Sequence, residues 1–235
     1  MGHNYHVIIV EGLIGAGKSH LTSELGKALG ENTLILLEPD EKDDANPYLA
    51  QFYENSSRWA FTMQIHLLSE RFSMHKLAME HVLSGRGSAV LDRSYFGDTA
   101  FAKLQLENKS MDEQEFSTYA SIYKKMTAHV LLPSICIRIL INPETALTRI
   151  KQRFQEREGR ECENVIDISY LESLDRAIDN MVGTLQQQGT IILNVPWDVE
   201  RKDEKARETA INSLATRIKQ FKPHDLFIQS YKRIL

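Results

Sequence analysis

Five short apolar runs alternate with long amphipathic segments along the 235 residues of the chain. The runs are HVIIV at 6–10, TLILL at 33–37, SAVL at 88–91, ICIRILI at 135–141 and TIILNV at 190–195. Runs of this length and composition are typical of strands buried on both faces of a parallel sheet. The pattern therefore predicts an α/β fold built on a five-stranded parallel sheet.

The segments between the runs have the spacing of helices. Apolar residues recur on one face in two clear cases, Leu21, Leu25, Ala28 and Leu29 before Gly30, and Leu171, Leu174, Ile178 and Met181. Helices between parallel strands cover both faces of the sheet, and ligands bind beyond the carboxyl ends of the strands. No repeat or linker divides the sequence, so we expect one domain over residues 1–235, with a C-terminal extension at about 222–235.

Composition and charge narrow the possible functions. The formal charge is -4, and the basic residues are scattered, so there is no basic patch for nucleic acid or an anionic membrane. The sequence shows no membrane-length apolar run and no signal-peptide pattern at its start. Cys136 and Cys162 are too few for a disulfide framework or a structural zinc site. We expect a cytoplasmic protein that acts on small molecules.

The segment Gly12–Ser19, GLIGAGKS, matches the GxxxxGK[ST] phosphate-binding loop. It follows the first apolar run and opens a helical segment, as the motif requires. Backbone N–H groups from Gly12, Gly15, Ala16 and Gly17 can surround phosphates, Lys18 can reach the outer phosphates, and Ser19 can bind magnesium. The alternative is a glycine-rich turn without a ligand. The register of strand, loop and helix favours a nucleoside triphosphate and Mg²⁺.

Carboxylates follow two more of the predicted strands. Asp92 ends SAVLD, the usual position of a second magnesium-binding acid, although it could instead start a turn and pair with Arg93. Glu38 lies in ILLEPD, where Pro39 breaks the strand. A carboxylate at this point can accept the proton of an attacking hydroxyl, but a solvated glutamate fits the pattern equally well. The carboxyl ends of parallel strands share an edge, so we expect these residues near the loop.

Four arginines after the fourth run are spaced by four, four and three residues: Arg149, Arg153, Arg157 and Arg160. On a helix they share one face. Such a stripe can close over phosphates and neutralise charge during their transfer. A surface helix with salt bridges to the neighbouring glutamates is equally compatible with this pattern. The first interpretation predicts a lid over residues of about 149–165.

The segment from Asn46 to Phe72 has an aromatic-rich helical pattern. Gln64 and Arg71 are seven residues apart, two helical turns, and therefore lie on the same side. A glutamine amide can pair with the edge of a nucleobase, and aromatic rings can stack on it. The pattern also fits a core helix with two polar residues at its rim. By the pattern alone, the core helix is the preferred interpretation.

Taken together, these motifs resemble the deoxynucleoside kinases, the P-loop family that includes deoxycytidine, deoxyguanosine and deoxyadenosine kinases. The resemblance extends to about Phe221 and is closest to the bacterial and phage branch. It is carried by EGLIGAGKS, LLEP, QFYENSSRWAFTMQ, LDRSYFGDTAFAK, PETALTRIKQR and YLESLDRAID. It implies a P-loop kinase fold with an Arg-rich helical lid and, as in most members, a homodimer. The implied reaction transfers the γ-phosphate of ATP, with Mg²⁺, to the 5′-hydroxyl of a 2′-deoxynucleoside.

The resemblance also implies roles for individual residues. Glu38 is the implied general base, with Arg93 beside the 5′-hydroxyl, while Ser19 and Asp92 hold magnesium. The implied substrate contacts are Tyr53 at the 3′-hydroxyl, Gln64 at the base edge and Phe101 stacked on the base. Ile14 is a further expected contact, because the outer side of the loop would face the sugar. The implied phosphate and ATP contacts are Lys18, Arg149, Arg153, Arg157 and, in PWDVERKDE, Asp198. Which of Glu158, Glu161 and Glu163 meets the 3′-hydroxyl stays open.

Arg71 and Asp98 bear on the choice of nucleobase. They match an Arg and Asp pair of members that accept deoxycytidine and purine deoxynucleosides, whereas thymidine-preferring members have apolar residues there. Arg71 can donate and Asp98 can accept, so the pair suits a ring edge with an acceptor beside an amino group. Thymine presents a carbonyl and an N–H instead. We expect purines or deoxycytidine to be favoured over thymidine.

Two other functions compete with this interpretation. A thymidylate-type nucleoside monophosphate kinase shares the loop and the Asp-Arg motif, but the acidic stretch PDEKDDANP disfavours a phosphorylated acceptor. A P-loop regulatory subunit could bind nucleotide without transferring phosphate. A GTPase is disfavoured because ILINPETA supplies no NKxD-like motif. A zinc-containing thymidine kinase would need four cysteines, and the chain has two.

Overall fold

The structure is a computed structural model that describes residues 5–38, 46–128, 130–155, 166–197 and 203–222. Within these ranges five strands form one parallel sheet in the order β2-β3-β1-β4-β5. The strands are β1 Val7–Glu11, β2 Leu34–Leu36, β3 Ala89–Asp92, β4 Ile135–Leu140 and β5 Ile191–Pro196. Each boundary lies within one residue of the corresponding apolar run. The predicted five-stranded parallel sheet is confirmed.

Helices cover both sides of this sheet. In the described residues they are α1 Lys18–Leu29, α2 Leu49–Glu54, α3 Ser56–Leu83, α4 Tyr95–Glu107, α5 Glu113–Thr127, α6 Pro143–Gln155, α7 Ile168–Gln187 and α8 Glu204–Ile218. The predicted α/β architecture is confirmed. The assignment of the whole chain to one domain stays a prediction. None of the helices within the described ranges is long and apolar enough to cross a membrane.

The helix pattern in the sequence is reproduced with one correction. The four apolar residues predicted for the face of α7 are all buried, and α1 ends at Gly30. The segment read as one aromatic-rich helix instead forms two, α2 and α3. Asn55 separates them with φ -147°, and its side chain accepts a hydrogen bond from the Arg58 N–H at 3.2 Å. That bond caps the start of α3, because the first turn of a helix has free N–H donors.

The expectation that all five strands are buried is correct only for the centre of the sheet. β1 and β3 are buried throughout and β4 at all positions except its last. The edge strand β2 is only half-buried, and β5 is mixed. Each edge strand has a neighbour on one side only, so part of its surface remains open. Apolar composition alone did not distinguish the centre from the edges.

The register of the central strands brings the predicted motifs together. Val10 of β1 pairs with Asp92 of β3, and Glu11 of β1 pairs with Arg138 of β4. The Arg93 N–H continues the ladder by donating to the Val10 carbonyl at 3.0 Å. The phosphate-binding loop after β1 therefore starts beside the Asp92-Arg93 turn after β3.

Candidate active site

The loop between β1 and α1 has the conformation of a phosphate-binding loop. Gly15 and Gly17 have φ of 78° and 88°, a left-handed region that glycine adopts readily. Lys18 is buried, and its Nζ donates to the Leu13 carbonyl at 2.8 Å. Burial, together with the neighbouring Arg93 charge, lowers the pKa of Lys18 to about 7. Ile14, predicted at the loop's substrate side, is buried.

Helix α6 packs tightly against this loop. A Cβ on Gly15 would lie 2.7 Å from the Ala146 carbonyl oxygen, so no side chain fits there. Arg149, one turn further along α6, is half-buried and donates to the Ala16 carbonyl at 3.4 Å and the Trp197 carbonyl at 3.2 Å. Arg149 thus joins the loop to the segment after β5. Arg153 lies on the same helix, also half-buried.

Ser19 and Asp92 form a pair suited to a metal ion. The Ser19 hydroxyl donates to Asp92 Oδ2 at 2.5 Å. The other oxygen, Asp92 Oδ1, is buried and has no hydrogen-bond partner among the described residues. Burial raises the pKa of Asp92, although Lys18 opposes the shift. A buried, unsatisfied carboxylate oxygen beside a hydroxyl is the kind of oxygen ligand that magnesium takes.

Arg93 connects the loop, the proposed base and the predicted stacking ring. Its backbone φ is 64°, uncommon for a residue other than glycine. Its Nη1 donates to the Gly12 carbonyl at 3.3 Å, and its Nε lies 3.5 Å from Glu38 Oε2. The guanidinium also lies over the ring of Phe101, 4.9 Å from the centroid. The strand-end turn therefore directs this side chain across the site.

Arg71 bridges the carboxylates of Glu38 and Asp98. One of its terminal nitrogens pairs with Asp98 Oδ1 and the other with Glu38 Oε1. Arg71 and Asp98 are buried, and Glu38 is mostly so. Asp98 Oδ2 has no hydrogen-bond partner among the described residues. The predicted Arg and Asp pair is thus formed, and it contacts the predicted general base directly.

The amide of Gln64 is held next to this pair. Its Nε2 donates to the backbone carbonyl of Asp98 at 3.2 Å. Its Oε1 accepts from Gln105 Nε2, also at 3.2 Å. Tyr53 lies half-buried on α2, with its ring edge-on to that of Phe52 at 5.3 Å. The sequence placed Gln64 and Arg71 on one side of a helix, and the structure directs both toward α4.

The structure adds three residues that the sequence analysis did not single out. Glu11 is buried at the end of β1, where its Oε1 accepts from the Ser94 hydroxyl at 2.6 Å and burial raises its pKa. Glu11 follows an apolar run just as Asp92 does, and this position could have identified it from the sequence. Trp197 packs against Gly17. Gln105 contacts Gln64, and no spacing rule marks it.

Several predicted residues lie outside the described ranges. They are Arg157, Arg160 and the three candidate glutamates of the lid, Glu158, Glu161 and Glu163, together with Asp198 and most of the C-terminal extension. Of the predicted arginine stripe, only Arg149 and Arg153 are described, and both lie on α6.

A carboxylate beside the phosphate-binding loop distinguishes this site from that of a nucleotide switch. Glu38 is held by two guanidinium groups at the same sheet edge as Lys18, and a hydroxyl acceptor needs such a group to take its proton. The fold and the site together define a P-loop kinase.

Comparison with known proteins narrows this class. The deoxynucleoside kinase family profile matches residues 8–222. The chain is 33% identical to deoxyadenosine/deoxycytidine kinase of Bacillus subtilis over 213 residues, 89% of this chain and 92% of that protein. It is 31% identical to deoxyguanosine kinase of Dictyostelium discoideum over 82% of this chain, but the match spans only 64% of that longer protein. The chain belongs to the deoxynucleoside kinase family.

Solved structures agree with this assignment. Deoxyadenosine kinase from M. mycoides with bound dATP superposes with a TM-score of 0.70 at 26% identity, covering 92% of this chain and 100% of that one. The same kinase with the products dCMP and a flexible dCDP gives a TM-score of 0.72, covering 91% and 99%. The predicted family, fold and enzyme class are confirmed. The roles of the individual site residues stay predictions.

Proposed function

We propose that this chain transfers the γ-phosphate of ATP to the 5′-hydroxyl of a purine 2′-deoxynucleoside or deoxycytidine, for the salvage of deoxynucleotides. The observation that carries the proposal is the position of Glu38 between Arg93, which reaches the phosphate-binding loop, and Arg71, which pairs with Asp98. The relatives support it, since they include kinases named for deoxyadenosine, deoxycytidine and deoxyguanosine.

In the proposed step the 5′-oxygen forms a bond to the γ-phosphorus while the bond to the bridging oxygen of ADP breaks. Glu38 accepts the hydroxyl proton, and Arg93 keeps that carboxylate oriented. Lys18, Arg149 and Arg153 stabilise negative charge on the transferred group and on ADP. Lys18 now donates to the Leu13 carbonyl within its own loop. A phosphate oxygen would replace that carbonyl and favour the charged ammonium.

Ser19 and Asp92 are the residues that would hold Mg²⁺. Asp92 Oδ1 is buried without a hydrogen-bond partner among the described residues, which fits a metal ligand. No group of three or more His, Cys, Asp or Glu side chains suited to a metal occurs in those same residues. Magnesium in kinases is held by one or two protein oxygens plus phosphates and waters, so the pair is sufficient. The ion would neutralise phosphate charge.

The base would lie against Arg71, Asp98 and Gln64, with Phe101 stacking on its face. Asp98 Oδ2 is buried and lacks a hydrogen-bond partner in the described part of the chain, so an amino group of the base is a suitable donor for it. Thymine would instead place a carbonyl oxygen there, and a buried pair of acceptors is unfavourable. Tyr53 and Ile14 are proposed to contact the sugar.

The remaining assignments extend this proposal beyond the described site. Arg157 would continue the phosphate contacts of α6, and Asp198 would lie beside the adenine of ATP. The resemblance to the family supports both, together with a homodimer. We also propose that the chain acts in the cytoplasm, where ATP and nucleosides occur.

The proposal predicts that Glu38→Gln inactivates the enzyme without preventing ATP binding. The change removes the proton acceptor but keeps the side-chain volume, so kcat should fall by about 10²- to 10⁴-fold. ADP release is measured with deoxyadenosine, deoxyguanosine, deoxycytidine and thymidine, and ATP affinity by calorimetry. Glu208→Gln, at an exposed position of α8, is the matched control and should leave both quantities unchanged.

Three outcomes would contradict the proposal. Thymidine as the preferred substrate would overturn the interpretation of Arg71 and Asp98. Activity on dAMP or dTMP but on no nucleoside would establish the thymidylate-type alternative. Retention of biological activity by Glu38→Gln would favour a regulatory subunit, because that variant still binds ATP but should not transfer phosphate.

A further inference from the structure

A pair of glutamines is buried between α3 and α4, beside the proposed base pocket. Gln64 is 0% exposed and Gln105 is 4% exposed. Gln105 Nε2 donates to Gln64 Oε1, and Gln64 Nε2 donates to the Asp98 backbone carbonyl. The backbone carbonyl of Gln105 accepts from the N–H groups of Ser110 and Met111, which anchors this end of α4. The amide pair is therefore attached to fixed backbone at both ends.

A carboxamide has two orientations of nearly the same shape, which exchange its donor and its acceptor. The Asp98 carbonyl can only accept a hydrogen bond, so the nitrogen of Gln64 must face it. The oxygen of Gln64 then faces Gln105. This arrangement requires Gln105 to present its nitrogen, since two facing oxygens would repel each other. The orientation of Gln64 is thus determined from two sides.

We propose that Gln105 is a positioning residue that determines base specificity by fixing the amide of Gln64. This rests on the proposed function, in which Gln64 meets the base. The bonds to Asp98 and Gln105 leave one N–H and one lone pair of Gln64, the N–H on the side of Asp98 and the lone pair on the side of Gln105, and the hydroxyl of Tyr119 lies close to the same amide. The N–H and the lone pair match a ring edge with an acceptor next to an amino group, such as N1 and the 6-amino group of adenine or N3 and the 4-amino group of cytosine.

The burial of Gln105 supports a role beyond stability. Its Oε1 is buried and has no hydrogen-bond partner in the described residues. An unsatisfied buried acceptor is unfavourable, and an apolar side chain of similar volume would avoid it. A glutamine at this position therefore gives little net stability. What it does supply is the donor that Gln64 requires.

The test uses two pairs of nucleosides that differ in the order of donor and acceptor. Deoxyinosine and deoxyuridine carry an N–H and a carbonyl where deoxyadenosine and deoxycytidine carry a ring nitrogen and an amino group. We expect Gln105→Met to lower the kcat/KM ratio within each pair by about three- to tenfold, the value of one hydrogen bond. Gln105→Glu should lower it further, because its carboxylate faces Gln64 Oε1. Gln114→Met, at an exposed position of α5, is the control.

A purely structural effect would lower kcat/KM for all four nucleosides by one factor and leave the ratios unchanged. Unchanged ratios in folded Gln105→Met and Gln105→Glu would overturn this proposal while wild-type activity still supports the proposed function. Absence of wild-type activity on every nucleoside would overturn both. If neither variant folds, hydrogen exchange of ¹⁵N-labelled glutamine side chains decides. Two slowly exchanging glutamine side-chain amides in the wild type, of which one signal is absent in Gln64→Met, support the pair. Exchange of these amides as fast as that of the exposed Gln114 side chain overturns it.

Discussion

Arg71 explains how two acids can be buried together at this site. Its guanidinium contacts both Asp98 and Glu38, and Arg93 approaches Glu38 from the other side. Two carboxylates and two guanidinium groups balance each other, which removes much of the penalty for burying charge. Arg71 therefore acts on the base-binding side and on the proposed proton acceptor at once. In the proposed function, substrate selection and phosphate transfer would share this side chain.

His75 gives a prediction about pH at the same scale. Its Nε2 donates to the Leu131 carbonyl at 2.7 Å, and the rings of Tyr95 and Phe96 lie against it. Burial lowers the pKa of His75 to about 4. The unfolded chain would bind a proton near pH 6.5 and the folded chain only near pH 4. Stability from this group is complete above pH 6.5 and decreases as the pH falls, by about 2 kcal/mol between pH 8 and pH 5.

Urea unfolding at each pH measures this effect. His75→Gln can still donate to Leu131 but does not titrate, so its free energy of unfolding should decrease by about 2 kcal/mol less than that of the wild type over the same range. His20→Gln changes an exposed histidine and should retain the wild-type slope. Equal slopes for His75→Gln and the wild type would show that His75 is not the titrating group.

At the scale of elements, α1 and β2 meet at a point with no spare volume. A Cβ on Gly26 of α1 would lie 2.3 Å from Ile35 Cγ1 and 2.6 Å from its Cδ1. Alanine normally favours a helix over glycine by about 1 kcal/mol. We expect Gly26→Ala to destabilise the protein by about 1–3 kcal/mol instead, because overpacking outweighs helix propensity. Thermal and urea unfolding measure the change.

Two further variants separate packing from propensity. Ile35→Ala removes the two nearest atoms and leaves Cβ at 3.6 Å, so Gly26→Ala should cost less in that background than alone. Gly183→Ala, near the C-terminal end of α7, places its Cβ where no atom lies within 4 Å and should be neutral or stabilising. A Gly26→Ala effect equal in both backgrounds would refute steric packing as the cause.

Only some parts of the fold could be predicted from the sequence. The apolar runs located each strand within one residue, and helical spacing indicated the helices between them, because both signals are local. The strand-end rule then placed Glu38 and Arg93 together. Long-range partners left no such pattern. Arg138, a charge inside an apolar run, pairs with Asp175 and Asp179 of α7, and Gln105 meets Gln64, yet nothing local identifies either partner.

At the scale of the molecule, the ATP side of the site is assembled from distant parts of the chain. Gly15 packs on α6, Gly17 on Trp197, and Arg149 bonds to carbonyl groups of both the loop and the segment after β5. A displacement of α6 would therefore act directly on the predicted phosphate-binding loop. The proposed acceptor side comes from α2, α3, α4 and the end of β2, together with Ile14 of the same loop.

The proposed homodimer is the prediction for the whole molecule. Leu77 and Leu83 of α3 are 53% and 49% exposed, and burying the remaining half of each side chain against a second copy would stabilise an assembly by about 1 kcal/mol each. We expect light scattering during gel filtration to give about twice the chain mass of 26.9 kDa. Leu77→Lys should favour the monomer through desolvation of its charge, whereas Lys76→Ala at the adjacent exposed position should not. A monomeric wild type at every concentration would refute the dimer.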